Sequence, residues 1–450
     1  MDLTQLRSAI EAGSVDTVLV AFPDLQGRPA GKRITGPFFL DHVADNGWEA
    51  CDYLLAIDVD MDPLPGYHFA NWDQGYGDMV GILDEATITE LPWHPGSVFI
   101  MCDLVDHHGA PIDVSPRQIL RRQIDRLAER GYTLKCATEL EFYLFAETFE
   151  EAAGKNWQGL TPHVSTIEDY QLFQTGRDEK VLRRIRNELL AAGMPVESSK
   201  GEAGRGQHEV ILKYTDPLAM ADRHVVLKTG IKEIADQEGC SATFMAKWTM
   251  DDSGSSSHIH ASLWSEDGAP LMDDPSSESG LSTLGQQFLA GQLHAARQLA
   301  WCAAPYVNSY RRYVPNSWAP TAIAWGQDNR TCGFRIVGHG ASRRIESRVP
   351  GADVNPYIAL AAVIAAGIYG IDHQLELPAP FQGNAYVAED VERLPFTLAD
   401  AIAHFEGSEV AAEAFGPEVH HHLLNTARQE WLKANLHVTD WELARNFERI

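Results

Sequence analysis

The chain has 450 residues, 44% of them hydrophobic, enough for one large or two to three ordinary domains with a substantial core. Its 36 basic and 63 acidic side chains leave a formal charge of −27, which argues against a nucleic-acid or anionic-membrane surface. Six dispersed cysteines without a C-x-x-C pair suggest neither a disulfide framework nor a zinc ribbon.

The opening MDLTQLRSAIEAG lacks the basic-then-apolar plan of a signal peptide, so the expected location is cytoplasmic. Residues 15–24, VDTVLVAFPD, alternate as a strand does, and Gly27 and Gly31 with Pro29 bracket a turn. Residues 98–105 predict another strand, followed by a turn at His108-Gly109. Ser115-Pro116 reads as a capping residue and first helical position, with Leu120, Ile124 and Leu127 on one face. We place a domain boundary there, giving a small domain over 1–110 and a large one over 111–450. The large domain opens with a strand, TLKCATELEFYLF (133–145), and continues with helical patterns at 177–192 and 216–238. Two polar loops follow, DDSGSSS (251–257), expected to be flexible, and DDPSSESG (273–280). The apolar run from Ile358 to Ile371 is too short to span a bilayer and predicts a buried helix. Strands and helices mix without a regular βαβ rhythm, so the expected class is α+β. No G-x-x-x-x-G-K-[ST] occurs, so a nucleotide must be held by another device.

Four segments carry chemistry. Glu139 and Glu141, two apart on a strand, project to one face, where a hard divalent cation would compensate them. Glu202 and Glu209 bracket a glycine-rich turn able to bring two acids together. His258 and His260 share a strand face, open to a metal or a nucleotide. Arg344, Glu346 and Arg348 alternate on one face, suited to phosphates, a carboxylate and a cation at once. Taken singly, each also suits a solvated or salt-bridged strand face.

In combination and order they do not. From about residue 16 to its end the chain resembles the glutamine synthetase family. The resemblance rests on V-A-F-P-D-L-Q-G-R-P-A-G-K-R, E-L-E-F, G-R-G-Q-H-E, H-I-H-A-S-L, N-S-Y-R-R-Y-V-P, N-R-T-C-G-F-R, R-R-I-E-S-R, A-D-V-N-P-Y and V-T-D-W-E-L-A-R. It implies a small N-terminal β-grasp domain, a catalytic domain built on antiparallel strands, and a homo-oligomer of two stacked hexameric rings. It also implies ATP, glutamate and two to three Mg²⁺ or Mn²⁺ ions per subunit. Carried over by motif, Glu141, Glu202 and Glu209 would hold one ion, and Glu139, His258 and Glu346 a second. Glu197, Tyr214, His260, Ser262, Arg335 and Arg344 would contact ATP, and Gly254, Arg312 and Arg348 glutamate. Arg330 and Asp52 are the catalytic candidates, Asp52 completing the site of an adjacent subunit.

The departures bear on the substrate. Ammonium-using members carry V-P-G-Y-E-A-P, whose glutamate helps bind ammonium and take its proton. This chain has V-P-N-S-W-A-P, so Trp318 stands where that acid belongs and offers an apolar wall or a cation–π face instead. Ser253 replaces an asparagine and Ala341 a lysine, and Glu392-Arg393-Leu394-Pro395 lacks an adenylylated tyrosine. The pattern resembles the branch that makes γ-glutamylamides, with Trp318 and Tyr170 expected in the amine pocket. The alternatives are an ordinary glutamine synthetase and a non-catalytic structural relative.

Overall fold

A computed structural model describes residues 1–450. The N-terminal third builds six strands: β1 (Thr17–Pro23), β2 (Pro29–Thr35), β3 (Trp48–Cys51), β4 (Asp78–Leu83), β5 (Thr89–Glu90) and β6 (Ser97–Val105). Their order is β2-β1-β6-β4-β3, with β5 also on β6. β1 and β6 run parallel at the centre. Val18, Val20 and Phe22 alternate into the core opposite Val98, Ile100 and Cys102, as period-2 patterning dictates. The expected turn falls between β1 and β2.

The second sheet has eight strands: β7 (Tyr132–Phe145), β8 (Val196–Gly201), β9 (Gln207–Leu212), β10 (Ser241–Thr243), β11 (Ser257–Ser265), β12 (Trp325–Gln327), β13 (Phe334–Val337) and β14 (Arg344–Ser347). The order is β12-β13-β14-β11-β7-β9-β8, with β10 also on β7. β7 is the spine, antiparallel to both β9 and β11. Leu140 and Phe142 turn one face of β7 into the core, where Thr138 Oγ1 meets His224 Nδ1 of the helix Pro217–Gln237 at 3.1 Å. Glu139 and Glu141 therefore occupy the opposite face. Mixed sheets and helices in this arrangement are α+β, as expected.

Helices Pro116–Ala128, Pro217–Gln237 and Pro356–Asp372 pack on the core side. The last is the buried apolar helix expected, and no helix is long and apolar enough to cross a membrane. Its cap, Asn355, accepts hydrogen bonds from Tyr357 and Ile358 N–H and donates from Nδ2 to the carbonyls of Asp24 and Leu25. One side chain thus starts the helix and ties down the turn between β1 and β2. Buried Arg117 ties the first sheet to the helix Pro217–Gln237 through Asp84 (2.6 Å), Asp103 (2.5 Å) and Asp222 (2.9 Å).

Two local expectations are corrected. Ser115 occupies the cap position, but its hydroxyl makes no capping bond. The loop at 251–257 is not a flexible surface loop: Ser255, Ser256 and Ser257 are buried, because they wall in Glu141.

Candidate active site

Two acid clusters lie side by side on the open face of the eight-stranded sheet. Register explains the convergence: Glu139 pairs with His258 across β7–β11, His260 with Glu346 across β11–β14, and Glu141 with Glu209 across β7–β9. Directly opposed strand residues have Cβ atoms roughly 4.5–5.5 Å apart, so these side chains must meet.

In the first cluster, Glu141, Glu202 and Glu209 bring one carboxylate oxygen each within 4.8 Å of the others. Glu141 accepts from Ser256 N–H (2.9 Å), Ser256 Oγ (2.5 Å) and Gln207 Nε2 (3.1 Å). Lys200 pairs with Glu202, and Tyr170 lies against Lys200, 4.8 Å from ring centroid to Nζ. Burial, with Glu202 next, pushes the Glu141 carboxyl up to about 7. Burial followed by Glu139, Glu141 and Glu202 pushes Glu209 to about 9. The cluster holds more negative charge than its protein partners neutralise, which a divalent cation would relieve.

The second cluster is better compensated. Glu139, His260 and Glu346 also offer ligand atoms within 4.8 Å, and His258 Nδ1 stands 3.5 Å from Glu139 and 3.6 Å from Glu346. Glu346 receives Arg335 Nη1 at 2.7 Å and Arg348 Nη1 at 2.6 Å. Burial would raise its carboxyl, but His258 and these arginines outweigh burial and hold it down, to about 2. Burial and then Arg348 push His258 down to about 4, leaving it neutral at pH 7, as a metal ligand must be. Arg344 Nε donates to His260 Nδ1 at 3.1 Å, which directs His260 Nε2 to Glu139 at 2.9 Å. That Nε2, which carries the ring proton when Nδ1 accepts from Arg344, is buried without a hydrogen bond despite the short approach, leaving a donor free for a phosphate oxygen. Both histidines therefore reach Glu139.

Beside them lies a cavity of about 250 Å³. Expected nucleotide residues line it: Glu197, Tyr214, His260, Ser262 and Arg344. Glu197 is the extra residue of an irregularity where β8 and β9 change register, and that irregularity presents it to the cavity. Ala341 is also in the wall. Lys135 adds a cation, 3.5 Å from the centre of the Trp264 ring.

On the other flank, Arg348 is buried. Its Nη2 donates to the Trp318 carbonyl at 3.2 Å, and its Nε has no partner, a donor held ready for an anion. Arg312 is 2% exposed and donates both Nη groups to the carbonyls of Val349 and Arg348, each at 2.8 Å. A Cβ on Gly254 would lie 2.6 Å from Arg312 Cγ, so only glycine admits this approach. Trp318, whose carbonyl Arg348 reaches, is 61% exposed and left-handed, with φ of +66°.

The remaining candidates do not line this cavity. Arg335 Nε pairs with Asp328 at 2.9 Å, and Arg330 is exposed on the adjoining turn. Asp52 belongs to the N-terminal sheet region, where its Oδ2 accepts from Gly77 N–H at 3.0 Å. No hydrogen bond joins it to either cluster of its own chain. Gln207, Ser256, Lys200 and Lys135 were not singled out from sequence. Gln207 and Ser256 sit inside the glycine-rich segments already noted, yet nothing in composition marks a glutamine or serine as the holder of a buried carboxylate.

The glutamine synthetase catalytic-domain model matches residues 113–446. A gamma-glutamylethanolamide synthetase of Streptomyces coelicolor is 50% identical over 450 residues, 100% of this chain and 96% of that protein. A glutamate–isopropylamine ligase of a Pseudomonas species is 35% identical over 451 residues, 100% of this chain and 98% of that protein. A solved GmaS/ADP complex has a TM-score of 0.87 at 28% identity, over 99% of this chain and 100% of that one. With both acid clusters, the adjoining cavity and the arginine flank all inside the matched region, the chain belongs to the glutamine synthetase family.

Proposed function

We propose that this protein is an ATP-dependent ligase joining the γ-carboxylate of glutamate to a small organic primary amine, with γ-glutamyl phosphate as intermediate and a γ-glutamylamide, ADP and phosphate as products. One observation carries the choice of amine over ammonium. Arg348 Nη2 donates to the main-chain carbonyl of Trp318, whose side chain is exposed, at the position where an ammonium-using relative carries a carboxylate.

The geometry of the site supports the following roles. Glu141, Glu202 and Glu209 would hold one divalent ion, and Glu139, His258 and Glu346 a second, with Mg²⁺ or Mn²⁺ matching the carboxylate oxygens that dominate both sets. When bound, such ions would supply charge neutralisation during phosphoryl transfer. The cavity of Tyr214, Glu197 and Ser262 takes the nucleoside, with Arg344 in its wall for the phosphates, and Arg335 and Arg330 are the further phosphate contacts that the family motif implies. Arg348 binds a glutamate carboxylate through its free Nε. Arg312, with both Nη groups on main-chain carbonyls, braces Arg348 from behind, and Gly254 makes room for it. Glutamate's γ-carboxylate attacks the γ-phosphorus, ADP leaves, and the neutral amine then attacks the acyl phosphate and expels phosphate. Trp318 and Tyr170 bound the amine's approach and keep water from the intermediate.

We also assign the division at residues 110 and 111, a cytoplasmic location consistent with six unpaired cysteines, and a ring assembly of two stacked hexamers in which Asp52 serves a neighbouring subunit. The exposed apolar tail supports assembly: Leu436, Trp441, Phe447 and Ile450 are 66–95% exposed, surface that a partner subunit would cover. Phosphate release with glutamate, ATP and a panel of ethanolamine, isopropylamine, spermine and ammonium tests the reading. A monoamine is expected to give the highest kcat/KM; ammonium equal to any amine would make the enzyme a glutamine synthetase.

A further inference from the structure

A second group of ligand-type side chains lies behind the acid clusters, on the other face of β9. His208 sits between Gln207 and Glu209, so strand alternation sends its imidazole away from the open face and towards the core. Its Nε2 is 2.6 Å from Asp178 Oδ2 and 3.8 Å from Glu168 Oε2. The other Asp178 oxygen, Oδ1, lies 2.5 Å from His163 Nδ1. Glu168, Asp178 and His208 are 0%, 1% and 0% exposed, and their ligand atoms fall within 4.8 Å of one another. Both oxygens of Glu168 are buried with no hydrogen-bond partner. A carboxyl group with neither oxygen satisfied is an anomaly in a protein interior, and it is directed at the two other groups.

We propose that Glu168, Asp178 and His208 form a structural site for one divalent transition-metal ion, separate from the active-site clusters. Two carboxylates and a neutral imidazole cancel the charge of a dication, which removes the objection to burying them. The mixed donor set suits Zn²⁺ or Mn²⁺. With both oxygens free, Glu168 binds bidentately, so the three residues supply four donors and need no water. His163 holds the second Asp178 oxygen, as outer-shell partners of ligating carboxylates do. A proton shared among His163, Asp178 and His208 would account for the short contacts between them but would leave Glu168 unsatisfied.

The site would pin one wall of the active site. Glu168 precedes Asp169 and Tyr170, and Ile167 bridges to Arg205 beside the glycine-rich turn. A Cβ on Gly201 would come 2.6 Å from the Glu168 carbonyl, so this segment rests directly on the backbone leading into Glu202.

The test is metal content of the full-length protein. It is stripped with EDTA, reloaded with Zn²⁺ or Mn²⁺, gel-filtered to remove weakly held ion, and analysed by mass spectrometry for metal per chain. Wild type is expected to retain one ion per chain that Glu168→Gln and Asp178→Asn lack, whereas Glu139→Ala keeps it. EDTA is expected to lower Tm in wild type more than in Glu168→Gln. Equal retention in wild type and Glu168→Gln overturns the proposal. If both variants fail to fold, Co²⁺-loaded wild type decides: intense visible absorption of a four-coordinate site supports it, and only weak octahedral bands overturn it.

Discussion

Replacing Trp318 by glycine separates the indole from the backbone that carries it. At φ of +66° the tryptophan holds a conformation that costs a bulky residue about 1–3 kcal/mol, whereas glycine adopts it freely. The carbonyl that Arg348 Nη2 reaches at 3.2 Å should therefore stay in place. A tryptophan presents roughly 150–250 Å² of side chain, so 61% exposure leaves on the order of 100–150 Å² open to a substrate. A two- or three-carbon amine lying on it covers roughly 50 Å². At about 25 cal/mol per Å² that is about 1.2 kcal/mol, close to tenfold in kcat/KM. The assay is ADP release at saturating ATP and glutamate with ethanolamine, isopropylamine or ammonium. Trp318→Gly should lose about an order of magnitude with the alkylamines and little with ammonium, at an unchanged KM for glutamate. Trp318→Glu, restoring an acid, should favour ammonium. An equal loss with amine and ammonium would refute the reasoning, because the indole would then serve glutamate or the site as a whole.

Other outcomes follow from the same geometry. Glu139→Ala and Glu346→Ala should each abolish turnover while circular dichroism stays native; near-normal activity in either would sink the second metal cluster. Gly254→Ala places a Cβ 2.6 Å from Arg312 Cγ and 2.7 Å from the Ala246 carbonyl, and such overpacking costs about 1–3 kcal/mol, so Tm and glutamate affinity should fall together. Glu141 and Glu209, raised to about 7 and about 9, hold protons in the folded chain that an unfolded chain releases above 4.5. Without metal, stability should therefore decline as pH climbs from about 5 to 9, and the Tm increment from Mg²⁺ should grow across that window. Melting curves with EDTA and with MgCl₂ that stay parallel over this range would contradict it.

Strand alternation made the acid clusters legible from sequence. E-x-E, H-x-H and R-x-E-x-R each state which side chains share a face, and three adjacent antiparallel strands bring those faces together. The pattern misjudged the partners. Arg344 was grouped with Glu346 and Arg348, but Arg344 binds His260, and Arg335 from β13 takes its place at Glu346. Cross-strand neighbours are a property of register, which the local pattern does not contain. The serine-rich loop misled for a similar reason. Small polar residues suggest a mobile surface, yet Ser256 is buried because Glu141 needs its N–H and hydroxyl. Arg312 read as a ligand clamp from its motif, and its burial against two carbonyls could only be seen once the chain was folded.

The opposite electrostatics of the two clusters follow from what borders β7. Towards β13 and β14, Arg335 and Arg348 bind Glu346, and the histidines of β11 hold Glu139 low even though burial works against it. That half is close to neutral as it stands and can remain ionised without an ion. Towards β9, three acids face Lys200 as their one direct ion-pair partner, and Glu141 is satisfied mainly by Ser256 and Gln207. That half is protonated or occupied, but not both, so its ion must displace protons on arrival. The strand thus places a preformed anion-and-arginine half, suited to phosphates, beside a half whose charge state depends on its cation. Metal affinity should accordingly depend on pH on the β9 side and little on the β14 side. This asymmetry arises because Arg348, just past β14, reaches Glu346 two residues before it, whereas β9 carries Glu209 with no basic residue on the same face.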